Sequence, residues 1–336
     1  MTASAVIFGC SDLALSDQEL DLFRNAAPWG LILFARNVDN PDQVRALIRS
    51  FRNCVGRQTA PVFIDQEGGR VARLKPPHWR AAPPSAVFGA LYAISPEKAR
   101  EACYLNARLL ADELTELGIT ADCAPVLDVP TPGSHQIIGD RAFSSDPAIV
   151  ADLGRQFCAG LLAGGVLPVI KHIPGHGRAG ADSHLDLPRV DTRLSELQDS
   201  DLVPFRAMAA MPLAMTAHVA YTAIDGLLPA SHSRTLIHTV IRKEAGFTGA
   251  LMCDDLGMAA LEGSLAERAQ KALEAGCDLV LHCSGVMAEM QEVMRTVPTL
   301  SGVALERCEA ALTWLQKPDP FDRADAAARL ATLLEP

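Results

Sequence analysis

A single (β/α)8 TIM-type barrel, an α/β fold, is what this sequence predicts, on three observations. Eight short apolar runs recur along the 336 residues, helix-start signals separate most of them, and charged side chains gather where the runs end. Near-continuous apolar runs, without polar alternation, fit strands covered on both faces, as in a parallel sheet. A doubly wound open sheet would normally carry a glycine-rich nucleotide turn after its first strand. Here that turn reads GCSDLALSD and holds no GxGxxG.

The elements follow in order. The run AVIFGC (5–10) precedes Ser16 and Glu19, whose spacing is that of a capping box opening the helix LDLFRNA. GLILF (30–34) is followed by Asn40-Pro41, an N-cap residue with proline in the first turn. APVFI (60–64) is the third run. Ser95-Pro96 then opens a helix with Cys103, Ala107, Leu110, Leu114 and Leu117 on one face, stopped at Gly118. ITADCAPVL (119–127) leads to a helix start at Asp146-Pro147, and LPVI (167–170) and PLAMTA (212–217) follow. Ser233 and Ser264 begin helices on either side of GALMC (249–253), and CDLVLHC (277–283) is the eighth run before helices that close the chain after Val303. No repeat, linker or low-complexity segment interrupts this pattern, so residues 1–336 read as one domain.

Composition narrows the class. Apolar residues make up 49% and charged residues 21%, the profile of an ordinary soluble globular protein. The net charge of −10, without a basic patch, argues against a nucleic-acid or anionic-membrane partner. MTASAVIFGCSD has no positive leading region and only a short apolar run, unlike a signal peptide, and the longest apolar stretch (159–170) is too short to span a bilayer. Nine scattered cysteines, an odd count with no CxxC, suit buried free thiols in a reducing cytosol. A cytoplasmic, monomeric protein is expected.

A barrel places its active-site groups where strands end and βα loops begin. Asp65 follows APVFI, Lys171-His172 follows LPVI, His218 follows LAMTA, Asp254-Asp255 follows GALMC, and His282 lies in the last run. His218 and His282 are candidates to line the pocket, without an assigned role. The run after the fifth strand, KHIPGHGRAGADSHLDLPRVD (171–191), is the richest in chemistry. It lacks the GK[ST] ending of a phosphate loop. His172, His176 and His184 could suggest zinc, but intervening prolines and glycines preclude the helix that would align an i, i+4 pair. A plain structural loop is a further reading. The acid–base reading rests on Asp182-Ser183-His184: residues two apart in an extended segment share a side, so Asp182 can orient the His184 ring for proton transfer. The nucleophilic partner would come from another strand end, with Asp254 or Asp255 as candidates; alternation would turn these two opposite ways.

KHIPGHGRAGADSH resembles the signature K-H-F-P-G-x-G-x4-D-[ST]-H of the single-domain β-N-acetylhexosaminidases of glycoside hydrolase family three. IDQEGGRVARL (64–74), IIGDRAFSSDP (137–147) and PASHSRTLIHTVIRKEAGFTGALMCDDLGM (229–258) agree with that family in order. The resemblance implies a (β/α)8 barrel and a retaining mechanism with a covalent glycosyl-enzyme intermediate. It makes Asp254 the nucleophile and His184, paired with Asp182, the acid/base. Asp65, Arg73, Arg141, Lys171 and His172 fall on the positions that bind the terminal N-acetylglucosamine. It implies no cofactor and no metal. The implied substrate is N-acetylglucosaminyl-1,6-anhydro-N-acetylmuramic acid, with or without peptide, met during cytoplasmic recycling of cell-wall fragments in a Gram-negative-type bacterium. Cys253 stands where serine is usual, Ile173 where phenylalanine is usual, and His232 interrupts the P-A-S-x-S segment. A phosphorylase on the same substrates and a non-catalytic sugar-binding barrel are the competing readings. On this view the glycines of 171–191 are hinges of a mobile catalytic lid.

Overall fold

The computed structural model describes residues 3–183, 185–226 and 228–335. Eight parallel strands close into a barrel: β1 Ser4–Phe8, β2 Pro28–Leu33, β3 Val62–Ile64, β4 Ala121–Asp122, β5 Leu167–Ile173, β6 Leu213–Thr216, β7 Ala250–Asp255 and β8 Leu279–His282. Each strand pairs with the next, and β1 meets β8 through Val6 opposite Val280. Every residue of β2 and β5 is buried. The runs are continuous because helices cover the outside and packed side chains fill the inside.

Each of the eight predicted runs overlaps a barrel strand, with one marked difference in length. The fourth run keeps only two residues of strand. Pro125 has no N–H to extend the ladder, and beyond β4 the run meets β5 through the Ala124 carbonyl, which accepts the Val169 N–H at 3.1 Å, and the Val126–Lys171 bridge, where Leu127 N–H donates to the Lys171 carbonyl at 2.7 Å.

The helix signals hold where a side chain caps the helix. Ser16 and Glu19 form both halves of the capping box of Asp17–Ala26, and Ser264 and Glu267 do the same for Leu265–Ala275. Asn40, Ser95 and Asp146 each accept an N–H of the first turn, and Gly118 ends Pro96–Leu117 in the left-handed region at φ 89°. Ser233 sits further upstream than expected: it accepts the Leu236 N–H, and the helix it precedes is a π-helix, Leu236–Glu244. The helix Ser85–Ile94 has no sequence signal, because its N-cap is Pro84, whose side chain can make no cap bond, and Gly89 interrupts its interior. Among the described residues no helix is long and apolar enough to cross a membrane. All nine cysteines are free thiols, seven of them buried.

Candidate active site

Two irregularities of the ladder place the functional side chains. Between β5 and β6 the register shifts from Lys171–Met215 to Ile173–Thr216, and between β8 and β7 from Leu279–Met252 to Leu281–Asp255. An extra residue in one strand re-aims its neighbours. Consecutive residues therefore share a destination: Lys171 and His172 both line one cavity, and so do Asp254 and Asp255.

That cavity encloses about 270 Å³ at the carboxyl ends of the strands, and Asp65, Glu67, Arg73, Arg141, His176, Ser183 and Cys283 also line it. An ionic ladder forms one wall. Lys171 Nζ lies 2.8 Å from Asp65 Oδ1 and 2.6 Å from Glu67 Oε1. Arg73 reaches Asp65 Oδ2 at 3.0 Å, and Arg141 grips Glu67 with two hydrogen bonds of 2.8 Å. Burial opposes charge on Asp65, but Lys171 and Arg73 outweigh it and hold the carboxyl well below its ordinary range. The same opposition, won by Asp65 and Glu67, pushes Lys171 up. These groups are fixed before any ligand arrives.

Burial also opposes charge on Asp254. The nearby His172 and His218, the Asp255 N–H and Lys171 prevail and lower its pKa. The Asp255 N–H donates to Asp254 Oδ1 at 2.8 Å, which fixes the rotamer. Asp255 itself is used by the backbone: its Oδ1 accepts from Gly257 N–H at 3.0 Å and Cys283 N–H at 3.1 Å.

The loop after β5 departs from one expectation. Its first part is no free hinge, since residues 174–177 are buried, and Thr131 and His135 N–H groups bond to the carbonyls of Gly177 and Ala179. Further on, the Asp182 carbonyl accepts from the Leu185 and Asp186 N–H groups. Ser183 is buried against the cavity, its Oγ 3.1 Å from His176 Nε2 and its carbonyl accepting the Ala260 N–H. His184 lies outside the described residues, and its expected pairing with Asp182 lies there with it. Burial and the neighbouring His172 push His176 down to about 4, so it is neutral at pH 7.

His172 and His176 come together without a helix, their ring centroids 5.8 Å apart. Among the described residues no group of three or more His, Cys, Asp or Glu side chains has metal-holding geometry. His218 and His282 do not line the cavity. His218 is buried behind it, bonded to Ser231 Oγ at 2.8 Å and the Asp255 carbonyl at 3.1 Å. His282, equally buried, meets Glu289 at 3.2 Å. Of the departures from the family pattern, Cys253 and Ile173 are fully buried and His232 is half-buried.

Sequence reasoning missed Glu67, which ties Arg141 to Lys171, and Asp128, which holds His172. Glu67 stands two residues past Asp65 in the quoted IDQEGG stretch, a signal that was present. Asp128 follows the fourth run at a strand end, the same signal that marked Asp65.

A parallel barrel whose strand ends present ionised, pre-paired carboxylates around a small polar cavity defines a barrel enzyme built for acid–base or nucleophilic work by carboxylates. Residues 13–317 match the glycosyl hydrolase family 3 N terminal domain, so the chain belongs to that family and is a glycosidase. It is 42% identical to a beta-hexosaminidase of Alkalilimnicola ehrlichii over 89% of this chain and 85% of that protein. Another, from Nitrosospira multiformis, is 36% identical over 91% of this chain and 89% of its own length. The native NagZ structure from Neisseria gonorrhoeae superposes with a TM-score of 0.89 at 31% identity, covering 100% of this chain and 99% of that one.

Proposed function

We propose that this glycosidase is a retaining exo-β-N-acetylglucosaminidase that removes terminal non-reducing N-acetylglucosamine from cell-wall muropeptides. One observation carries the reading: Asp254, ionised and rotamer-fixed, shares a cavity with Ser183, the neighbour in sequence of both Asp182 and His184. The beta-hexosaminidase relatives supply the substrate class. A volume of about 270 Å³ suits one sugar ring, which favours exo action.

In this mechanism Asp254 attacks C1 of the sugar while His184, oriented by Asp182, protonates the departing glycosidic oxygen. His184 then takes a proton from water, and the water oxygen displaces the Asp254 ester, so configuration is retained. Asp65, Arg73, Arg141, Lys171 and His172 bind the terminal sugar. No cofactor or metal takes part. The 336 residues act as one monomeric catalytic domain in the cytoplasm, on fragments returned from the wall, without nucleic-acid or membrane partners.

Intact-mass analysis with a slow fluorinated N-acetylglucosaminide tests the nucleophile. Wild type should gain one glycosyl mass and Asp254→Ala none; equal labelling of the two sinks the assignment. His184→Ala should lose rate mainly on substrates with poor leaving groups, by on the order of 10²-fold or more, and little on activated aryl glycosides. An equal loss on both would remove His184 as the acid.

A further inference from the structure

The strand-end carboxylate Asp128 is fully buried and belongs to none of the roles above. Its Oδ2 lies 2.7 Å from His172 Nδ1, and its Oδ1 accepts the backbone N–H groups of His172 at 3.2 Å and His176 at 2.7 Å. We propose that Asp128 is a positioning residue that fixes the His172 ring as the acceptor for one hydroxyl of the bound sugar. The inference rests on the hexosaminidase reading.

Three donors converge on one carboxylate. Burial works against its charge, yet His172 and His176 together bring Asp128 down to about 2. An ionised carboxylate only accepts, so a ring proton faces it from Nδ1, and in the tautomer protonated there alone Nε2 keeps its lone pair. His172 lines the cavity. The cationic donors along the same wall, Lys171, Arg73 and Arg141, are already engaged by Asp65 and Glu67. In that tautomer His172 offers the sugar an acceptor beside these donors, and a hydroxyl that donates to Nε2 is oriented by it. Asp128 also holds the His176 N–H at the root of the loop, so one side chain sets both the ring and the start of the segment leading to Ser183.

Asp128→Asn separates these roles. The asparagine oxygen can still accept the two backbone N–H groups, but its NH2 now faces Nδ1 and drives the proton to Nε2, turning the acceptor into a donor. The parent p-nitrophenyl N-acetylglucosaminide and its three monodeoxy analogues, at positions 3, 4 and 6, are compared on wild type and variant. The variant should lose roughly tenfold in kcat/KM, the worth of one hydrogen bond, on every substrate except the analogue lacking the hydroxyl that His172 meets. On that analogue the two enzymes should agree within about twofold. A uniform loss across the series, with wild type active, overturns the inference and leaves the hexosaminidase reading standing. Wild type inactive on all four substrates overturns both. A spectroscopic arm on wild type does not depend on the variant folding. In 15N-histidine spectra at pH 8, the imidazole whose signals vanish in His172→Gln should carry its proton on Nδ1 with Nε2 bare; a proton on Nε2 overturns the inference.

Discussion

At the scale of single residues, the site is a set of buried charges whose partners decide their protonation, and one of them has no counter-charge in contact. Asp122, fully buried in β4, accepts the Gln66 N–H at 2.9 Å on Oδ1, while Oδ2 has no hydrogen-bond partner among the described residues. Burial pushes its carboxyl up to about 8, against the pull of the Gln66 N–H and Lys171. Between its unfolded value of 3.8 and about 8, the folded carboxyl keeps a proton that the unfolded one has lost. Stability therefore falls as pH rises through that window, by up to about 1.4 kcal/mol per pH unit for one proton, and is flat above it. Asp122→Asn keeps the acceptor for Gln66 and removes the titration. Its denaturation midpoint should exceed wild type at pH 9, with the difference shrinking steadily towards pH 4. Parallel stability curves for the two proteins would refute the protonated state. Residue identity alone made Asp65, Lys171 and Asp254 legible, because charged side chains at strand ends stand out against apolar runs. Asp122 and Asp128 sit within and just after the run ITADCAPVL, where a carboxylate reads as an interruption of a strand and only burial shows what it holds.

At the scale of elements, caps were legible and close approaches were not. Ser16, Asn40, Ser95, Asp146 and Ser264 announce helices because their oxygens accept first-turn N–H groups, a local interaction that a sequence displays. The register shifts at Lys171–Ile173 of β5 and beside Asp255 of β7 depend on neighbouring strands, which a sequence does not display. The glycines of the β5 loop show the same contrast. A Cβ on Gly177 would lie 2.1 Å from the Val129 carbonyl oxygen, whereas one on Gly180 would meet nothing within 4 Å. Gly177 is there for packing against the loop that carries Asp128, rather than for hinge motion. Gly177→Ala should cost about 1–3 kcal/mol through overpacking and lower kcat/KM by displacing the loop root, while Gly180→Ala should leave both near wild type. Thermal denaturation with parallel kinetics checks the pair; equal effects from the two would contradict this packing account.

At the scale of the whole molecule, the barrel was legible because its period is simple: eight continuous apolar runs, each followed by a crossover, leave few other closed arrangements. What holds the carboxyl-terminal end was less legible, since its contacts are far apart in sequence. The helix Arg323–Leu334 packs on Pro96–Leu117 with Ala326, Leu330 and Leu333 buried. Arg108, itself buried, stacks 4.0 Å from the Phe321 ring and donates to the Asp319 carbonyl at 2.8 Å. Ion pairs decorate the same seam: Arg329 with Glu101 at 2.6 Å, and Arg323 with Asp112 at 2.6 Å and Glu116 at 2.9 Å. The two kinds of contact differ in worth. The Arg329 and Glu101 side chains are 50% and 42% exposed, so solvent and salt screen their pair to a small contribution. Leu330 is only 5% exposed, and its truncation removes apolar burial and leaves a gap, about 2–4 kcal/mol. Leu330→Ala should therefore lower the urea midpoint clearly at unchanged m-value, and Arg329→Ala should move it little and less still in 0.5 M salt. Neither residue lines the cavity, so kcat/KM well below the unfolding transition should match wild type in both. A larger loss from Arg329→Ala than from Leu330→Ala would mean that charge, rather than apolar burial, fastens this helix to the barrel.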